Sequence, residues 1–335
     1  MIELFDCTLR DGCHVNSGNF GHENIIKIAN GLTNSDLDFV EIGFLRNVEY
    51  NKDFPYYPQI EQAYDILSKI TTRNNVDYAL MARADEYNLN NLTEYNGKIK
   101  LIRVAFYYDY LEKAIKFAKE VKEKGYDITL NVINTPGNSI KDLMKMVDYA
   151  NDILPNIVTI VDTFGVLDTN ELSNLLKEYN SNLDKKIKIG LHVHENLALA
   201  FSLAKCFIDF IGNSRDIVVD GSLLGMGRIP GNLPIELIAD YKNTSFGKQY
   251  KLENILELID TVIKPIKNEI PWGYSPAYFL SAKYRVHRSY SEHMLKCGIS
   301  LNEINTLLSK IDSSHAEKFN KDYINSLIED NKRSI

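Results

Sequence analysis

The segment Gly190-Leu191-His192-Val193-His194-Glu195-Asn196 sets two imidazoles two residues apart. Ile187-Lys188-Ile189 before it reads as a β-strand, where side chains alternate faces, so His192 and His194 point the same way. Two ring nitrogens side by side suit a shared metal ion, and the plainer alternative is a pair of hydrogen-bonded structural histidines. A second cluster is Asp6-Cys7-Thr8-Leu9-Arg10-Asp11-Gly12-Cys13-His14. Asp11 is a hard oxygen donor, and Arg10 carries a fixed charge in a fork that matches a carboxylate or enolate. His14 can move a proton near neutral pH. The glycine-rich run from Gly225 to Asn232 adds an amide oxygen at Asn232. One carboxylate, two imidazoles and an amide leave coordination positions open for substrate. Such a set suits Mn²⁺ or Mg²⁺ better than a closed Zn²⁺ site. Taken singly, each group also has a bland role: Asp11 could cap a helix, Arg10 could pair with it, and the glycine loop could be a turn.

These residues need a scaffold that brings strand ends together. Runs rich in Val, Ile and Leu recur at 2–7, 38–43, 76–81, 100–106, 127–133, 157–162, 187–192 and 217–221, as expected of parallel strands buried on both faces. Helical spacing lies between several of them: Ile25, Ile28, Ala29 and Leu32; Leu111, Ala114, Ile115 and Ala118, with Gly125 as the stop; and Ile140, Leu143, Met144 and Val147. Eight strand–helix units predict an α/β fold, a (β/α)8 TIM barrel over residues 1–250, and the three clusters then share its C-terminal mouth. A doubly wound open sheet is second, but no Gly-x-Gly-x-x-Gly follows the first strand. From 251 to 335 the pattern predicts a helical C-terminal extension punctuated by Pro265, Pro271 and Pro276.

The chain has 335 residues, 44% hydrophobic and 25% charged, with a formal net charge of −7. Basic runs are short and mixed with acids, so nucleic-acid binding is not expected. The start, Met1-Ile2-Glu3-Leu4-Phe5-Asp6, lacks the basic and apolar regions of a signal peptide. No apolar run approaches the roughly 18 residues a spanning helix needs. Cys7, Cys13, Cys206 and Cys297 form no Cys-x-x-Cys pair and fit reduced thiols, so a cytoplasmic location is expected.

Asp6-Cys7-Thr8-Leu9-Arg10-Asp11-Gly12 together with Gly190-Leu191-His192-Val193-His194-Glu195-Asn196-Leu197-Ala198 resembles the DRE-TIM metallolyase superfamily, that of HMG-CoA lyase. Asp220-Gly221-Ser222 through Gly231-Asn232, with Glu236 beyond, is similar to its third signature. The resemblance implies a divalent metal on Asp11, His192 and His194, with Asn232 as a nearby or fourth ligand. It also implies that Arg10 stabilises an enolate. Histidine at position 14, where thioester-acting members typically carry glutamine, resembles the 4-hydroxy-2-oxovalerate aldolase branch. There the histidine acts on the aldol hydroxyl. Gly273-Tyr274-Ser275-Pro276 is similar to that branch's active-site tyrosine segment, which implies Tyr274 near the substrate. Arg10, Thr163 at the end of strand six, Glu41 and Arg103 are the expected substrate-binding residues, Glu41 and Arg103 being alternatively supporting groups or barrel-interior ion pairs.

The implied activity is a class II aldolase joining or releasing pyruvate and an aldehyde. The alternatives are an acyl-CoA lyase or isopropylmalate-synthase-type enzyme, and a catalytically idle barrel subunit. Partners implied are a small oxoacid or aldehyde, a homo-oligomer, and a dehydrogenase or biosynthetic enzyme. Beyond Tyr290 the chain departs from the region through which those aldolases deliver aldehyde.

Overall fold

A computed structural model describes residues 1–333. Eight parallel strands form its centre: β1 (Ile2–Asp6), β2 (Phe39–Leu45), β3 (Asp77–Arg83), β4 (Leu101–Phe106), β5 (Asp127–Val132), β6 (Ile157–Asp162), β7 (Lys188–Val193) and β8 (Ile217–Gly221). Each pairs with the next, and β8 returns to β1 with Ile2 opposite Ile217 and Asp6 opposite Gly221, so the sheet closes into a TIM barrel. A two-residue strand, Tyr56–Tyr57, adds to the mouth end of β2.

Helices α1 (His22–Asn34), α2 (Ile60–Ser68), α3 (Leu111–Glu123), α4 (Ile140–Ile153), α5 (Thr169–Asn182), α6 (Ala200–Ile211) and α7 (Ile235–Phe246) surround it. The apolar stripes expected for α1 and α3 are buried. Gly125 takes φ +89° just beyond α3, a left-handed stop that glycine adopts without strain. In α4 the stripe is rotated: Leu143, Met146 and Val147 are buried, while Ile140 in the first turn faces solvent. The third unit departs from the expected eight. Between β3 and β4 only a 3-10 turn, Leu89–Asn91, forms. That stretch carries Asn88, Asn90, Asn91, Asn96 and Gly97, and Asn side chains compete with helical backbone hydrogen bonds.

The barrel interior is apolar in one part and polar in another. The apolar part is Phe5, Phe39, Ala79, Leu101, Ile157 and Val218. The polar part holds Glu41, Arg103, Thr129, Asn131, Thr159 and Asp220, all buried. Arg103 spans the boundary, its guanidinium 4.2 Å from the centre of the Phe5 ring.

After α7 come α8 (Leu252–Leu258), a π-helical turn (Ile259–Ile263) and α9 (Lys264–Glu269), whose Ile255, Leu258, Ile259 and Ile263 join the barrel's core. A separate core then forms from Leu280, Val286, Tyr290, Met294, Ile304, Leu307 and Ile324, among others. It belongs to α10 (Pro276–Lys283), α11 (Ser289–Lys296), α12 (Leu301–Leu308), α13 (Ser313–Ala316) and α14 (Lys321–Arg333). This unit sits over the mouth. Ala282 packs with Phe164 and Val166, Asn196 donates to the Tyr278 carbonyl at 3.3 Å, and Asn134 donates to Glu317 at 3.1 Å. Among the described residues no helix is long and apolar enough to cross a membrane.

Candidate active site

His192 lies on β7 and His194 one residue past its end, and the strand alternation carries both rings to the mouth, 4.9 Å apart. Each ring has a fixed partner on Nδ1. His192 Nδ1 lies 3.1 Å from Asp220 Oδ2, and His194 Nδ1 lies 2.8 Å from the Asp162 carbonyl oxygen. Both partners only accept, so each Nδ1 carries a hydrogen, which leaves Nε2 as the ring atom turned to the site. Burial, against the Asp220 hydrogen bond, pushes His192 down to about 4 and holds it neutral.

Both Nε2 atoms face Asp11 Oδ2, at 3.9 Å from His192 and 3.7 Å from His194. These separations are too long for hydrogen bonds. Asp11, His192 and His194 offer ligand atoms all within 4.8 Å of one another. His194 Nε2 and Asn232 Oδ1 are buried without a hydrogen-bond partner. Orphaned buried acceptors are costly, and a cation between them would satisfy both. Burial opposes ionisation of Asp11, but Arg10 and the neighbouring imidazoles hold its carboxyl well below the usual carboxylate range. An anionic carboxylate, two imidazoles that turn Nε2 to the same point and a free amide oxygen form a donor set that fits a divalent metal. The glycine loop closes around it. A Cβ on Gly227 would stand 2.5 Å from Asp11 Oδ2 and 2.3 Å from Asn232 Nδ2, so only glycine fits there.

Beneath the cluster runs a chain of alternating charge. Arg10 Nε donates to Glu41 Oε2 at 2.9 Å, and its Nη1 donates to Asp11. Arg103 Nη1 reaches the same Glu41 oxygen at 3.2 Å, and its Nη2 donates to Asp220, the partner of His192. Glu41 and Arg103, expected among the substrate-binding residues, do not line the cavity: they lie below it, held in barrel-interior ion pairs. Burial raises Glu41 against the pull of Arg10 and Arg103.

Above lies a cavity of about 200 Å³ lined by Arg10, Asp11, His14, Thr163, His192 and His194, with Arg46, Arg83, Tyr107 and Arg228 on its walls. That is below the roughly 300–1,000 Å³ of typical ligand sites and suits a small metabolite. His14 keeps 43% of its side chain exposed, with Nε2 3.8 Å from Asp11 Oδ1. Thr163 Oγ1 accepts from the Asn134 backbone N–H at 2.8 Å. The cavity thus unites six of the expected groups, Arg10, Asp11, His14, Thr163, His192 and His194; Asn232 lies close to Asp11 across Gly227 but lines a neighbouring groove.

Tyr274 is not among them. It is 60% exposed and lines a separate groove with Trp272, Pro230 and Lys267. The indole of Trp272 anchors that segment by donating to the Leu224 carbonyl at 3.0 Å, which leaves Tyr274 facing outward. Phe44, Tyr56 and Tyr107 are the aromatic walls of the cavity. Arg46 and Arg83, at or just past the ends of β2 and β3, escaped the sequence reading although the strand-end rule marks such positions.

The HMGL-like family model matches residues 1–262. The chain belongs to the HMGL-like family. Among relatives of this HMGL-like protein, a 4-hydroxy-2-oxovalerate aldolase of Pseudoalteromonas translucida is 23% identical over 313 residues, covering 86% of each chain. A solved N-terminal domain of a Bacteroides vulgatus protein superposes with a TM-score of 0.76 at 24% identity, over 90% of this chain and 98% of that one. An HMG-CoA lyase of Bacillus subtilis superposes with a TM-score of 0.65 at 16% identity, over 80% and 95%.

Proposed function

We propose that this protein is a carbon–carbon lyase, a divalent-metal-dependent aldolase that cleaves or forms 4-hydroxy-2-oxoacids. The observation that carries this reading is one cavity holding the Asp11–His192–His194 cluster, the Arg10 cation and the His14 imidazole together. Asp11, His192 and His194, with Asn232 beside them, would hold Mn²⁺ or Mg²⁺. When bound, such an ion supplies Lewis acidity toward the carboxylate and keto oxygens of the substrate.

The chain's own groups supply the rest. His14, neutral and open to the cavity, takes the proton from the C4 hydroxyl. The C3–C4 bond breaks, its electron pair passes to the pyruvate half, and the hydroxyl-bearing carbon leaves as an aldehyde. Arg10, fixed by Glu41 and Asp11, presents its cation to the enolate oxygen that develops. Thr163 orients the oxoacid from the far wall. The reverse direction joins pyruvate and aldehyde. The aldolase relatives support this branch over the thioester one.

The test is pyruvate release from 4-hydroxy-2-oxovalerate in Mn²⁺. Release should stop with a chelator and fall sharply in His14→Ala. Cleavage of an acyl-CoA with no pyruvate released from the oxoacid would overturn the reading.

A further inference from the structure

The side of the cavity nearest His14 carries positive charge that the protein itself does not neutralise. Arg228 lines the cavity, and its Nη2 lies 2.5 Å from Nε2 of His287, a residue of the C-terminal unit. Its Nε is buried with no hydrogen-bond partner. Arg288 is next in sequence, with a side chain only 15% exposed and a buried Nε that also lacks a partner. Its Nη1 stands 3.1 Å from Glu292 Oε1, without hydrogen-bond geometry. Burial, then the neighbouring Arg288, pulls Arg228 below its ordinary value, and burial with Arg228, Arg288 and His14 pushes His287 down to about 3. The acids in reach are Asp11, already engaged by Arg10, and Glu292. Arg228 lines the open cavity and Arg288 adjoins it through its chain neighbour His287, and unmatched guanidinium groups in such a place are donors suited to an anion.

Their position says which half of a substrate the anion belongs to. His14 feels both Arg228 and Arg288. In the aldolase reading His14 serves the C4 hydroxyl, the carbon that becomes the aldehyde. The pyruvate half lies toward Arg10 and the metal-type cluster.

We propose that Arg228 and Arg288 form an anion subsite for a carboxylate or phosphate carried by the aldehyde half of the substrate. The identity of the substrate half rests on the aldolase reading; the anion site itself does not. The natural substrate is then an anionic aldehyde and its aldol adduct with pyruvate. Atoms balance as in the proposed reaction, since the anionic group takes no part in bond making.

Aldol addition to pyruvate in Mn²⁺ is measured with butanal, succinic semialdehyde and glycolaldehyde phosphate. One anionic aldehyde should exceed butanal in kcat/KM by about tenfold or more, the range for one charge-assisted hydrogen bond. Succinic semialdehyde marks a carboxylate and glycolaldehyde phosphate a phosphate. Arg228→Gln and Arg288→Gln should each shrink that ratio, and Arg288→Lys should keep part of it. Equal rates for all three aldehydes, or variants that slow all three alike, would overturn the subsite. Titration with inorganic phosphate and with succinate reads the site without turnover. Wild type should bind one of them, more weakly as salt rises, and the double variant Arg228→Gln, Arg288→Gln should not. Binding of neither ion by wild type would overturn the subsite. Ion binding by a wild type that turns over no pyruvate would keep the subsite and reject the aldolase.

Discussion

Two sets of buried arginines meet the cavity through one member each, Arg10 and Arg228, and they are built differently. Arg10 and Arg103, inside the barrel, alternate with Asp11, Glu41 and Asp220, so every cation meets a carboxylate. Arg228, on the rim beneath the C-terminal unit, meets a histidine, and Arg288 beside it has one loosely placed acid. The first set holds its geometry without any ligand. Its role is to fix the Arg10 fork and, through Asp220, the His192 ring. Arg103 Nε is also unmet in the first set, but both of its terminal nitrogens reach carboxylates, whereas in the second set Arg288 Nη1 as well as both Nε atoms lack a partner, as suits groups that serve something from outside.

Deleting one member of each set is the sharpest way to break this contrast. Glu41→Gln strips a shared partner from two buried guanidiniums. It should lower the unfolding free energy by about 3–5 kcal/mol, the range for breaking a buried ion pair. Arg228→Gln removes a cation that repels its neighbours. It should change stability by less than about 1 kcal/mol, or raise it. Urea unfolding of both variants checks this, and equal losses would erase the distinction.

The pH dependence tests the fixed set next. In the metal-free protein His192 titrates at about 4, against an ordinary value of 6.5. The unfolded chain therefore binds this proton first as pH falls. Stability from this group is full above about 6.5 and is lost on descending toward 4, by about 3 kcal/mol for a fully buried ring. Urea midpoints in chelator between those limits should rise with pH in wild type and rise less in His192→Gln. Identical slopes would contradict the neutral, buried assignment.

The smallest effect is expected at Tyr274. Exposed and outside the cavity, it should tolerate Tyr274→Phe with kcat/KM within about twofold, as surface changes usually do. A larger loss would mean that the segment from Trp272 moves to the cavity during turnover.

How much of this was legible in the sequence follows from the range of the interactions. The barrel was legible because strands buried on both faces are continuous Val, Ile and Leu runs. Asp11, His192 and His194 were legible because strand alternation and the strand-end rule are local. Glu41 and Arg103 carry a signal for the barrel interior but not for which groups reach substrate, and both lie in the charge chain below the cavity rather than on its wall. The missing third helix turned on Asn content, which the periodicity of the other units masked. Tyr274 was placed by motif similarity, whereas a single indole hydrogen bond sets the direction of its segment. Arg228, His287 and Arg288 had no local signal. They meet only because α10 and α11 fold back over the mouth, a long-range contact that spacing along the chain does not encode.

The central claim is that this cavity makes a pyruvate enolate with a metal held by Asp11, His192 and His194. Proton NMR of pyruvate with the protein and Mg²⁺ in D2O tests it without knowledge of the aldehyde. The methyl signal should decay in wild type and persist in the His192→Ala, His194→Ala double variant. Arg10→Ala should slow the decay by about 10²–10³, the cost of one lost donor to a developing oxyanion. A wild-type methyl signal that persists with metal present, or a double variant that exchanges as fast as wild type, would contradict the account.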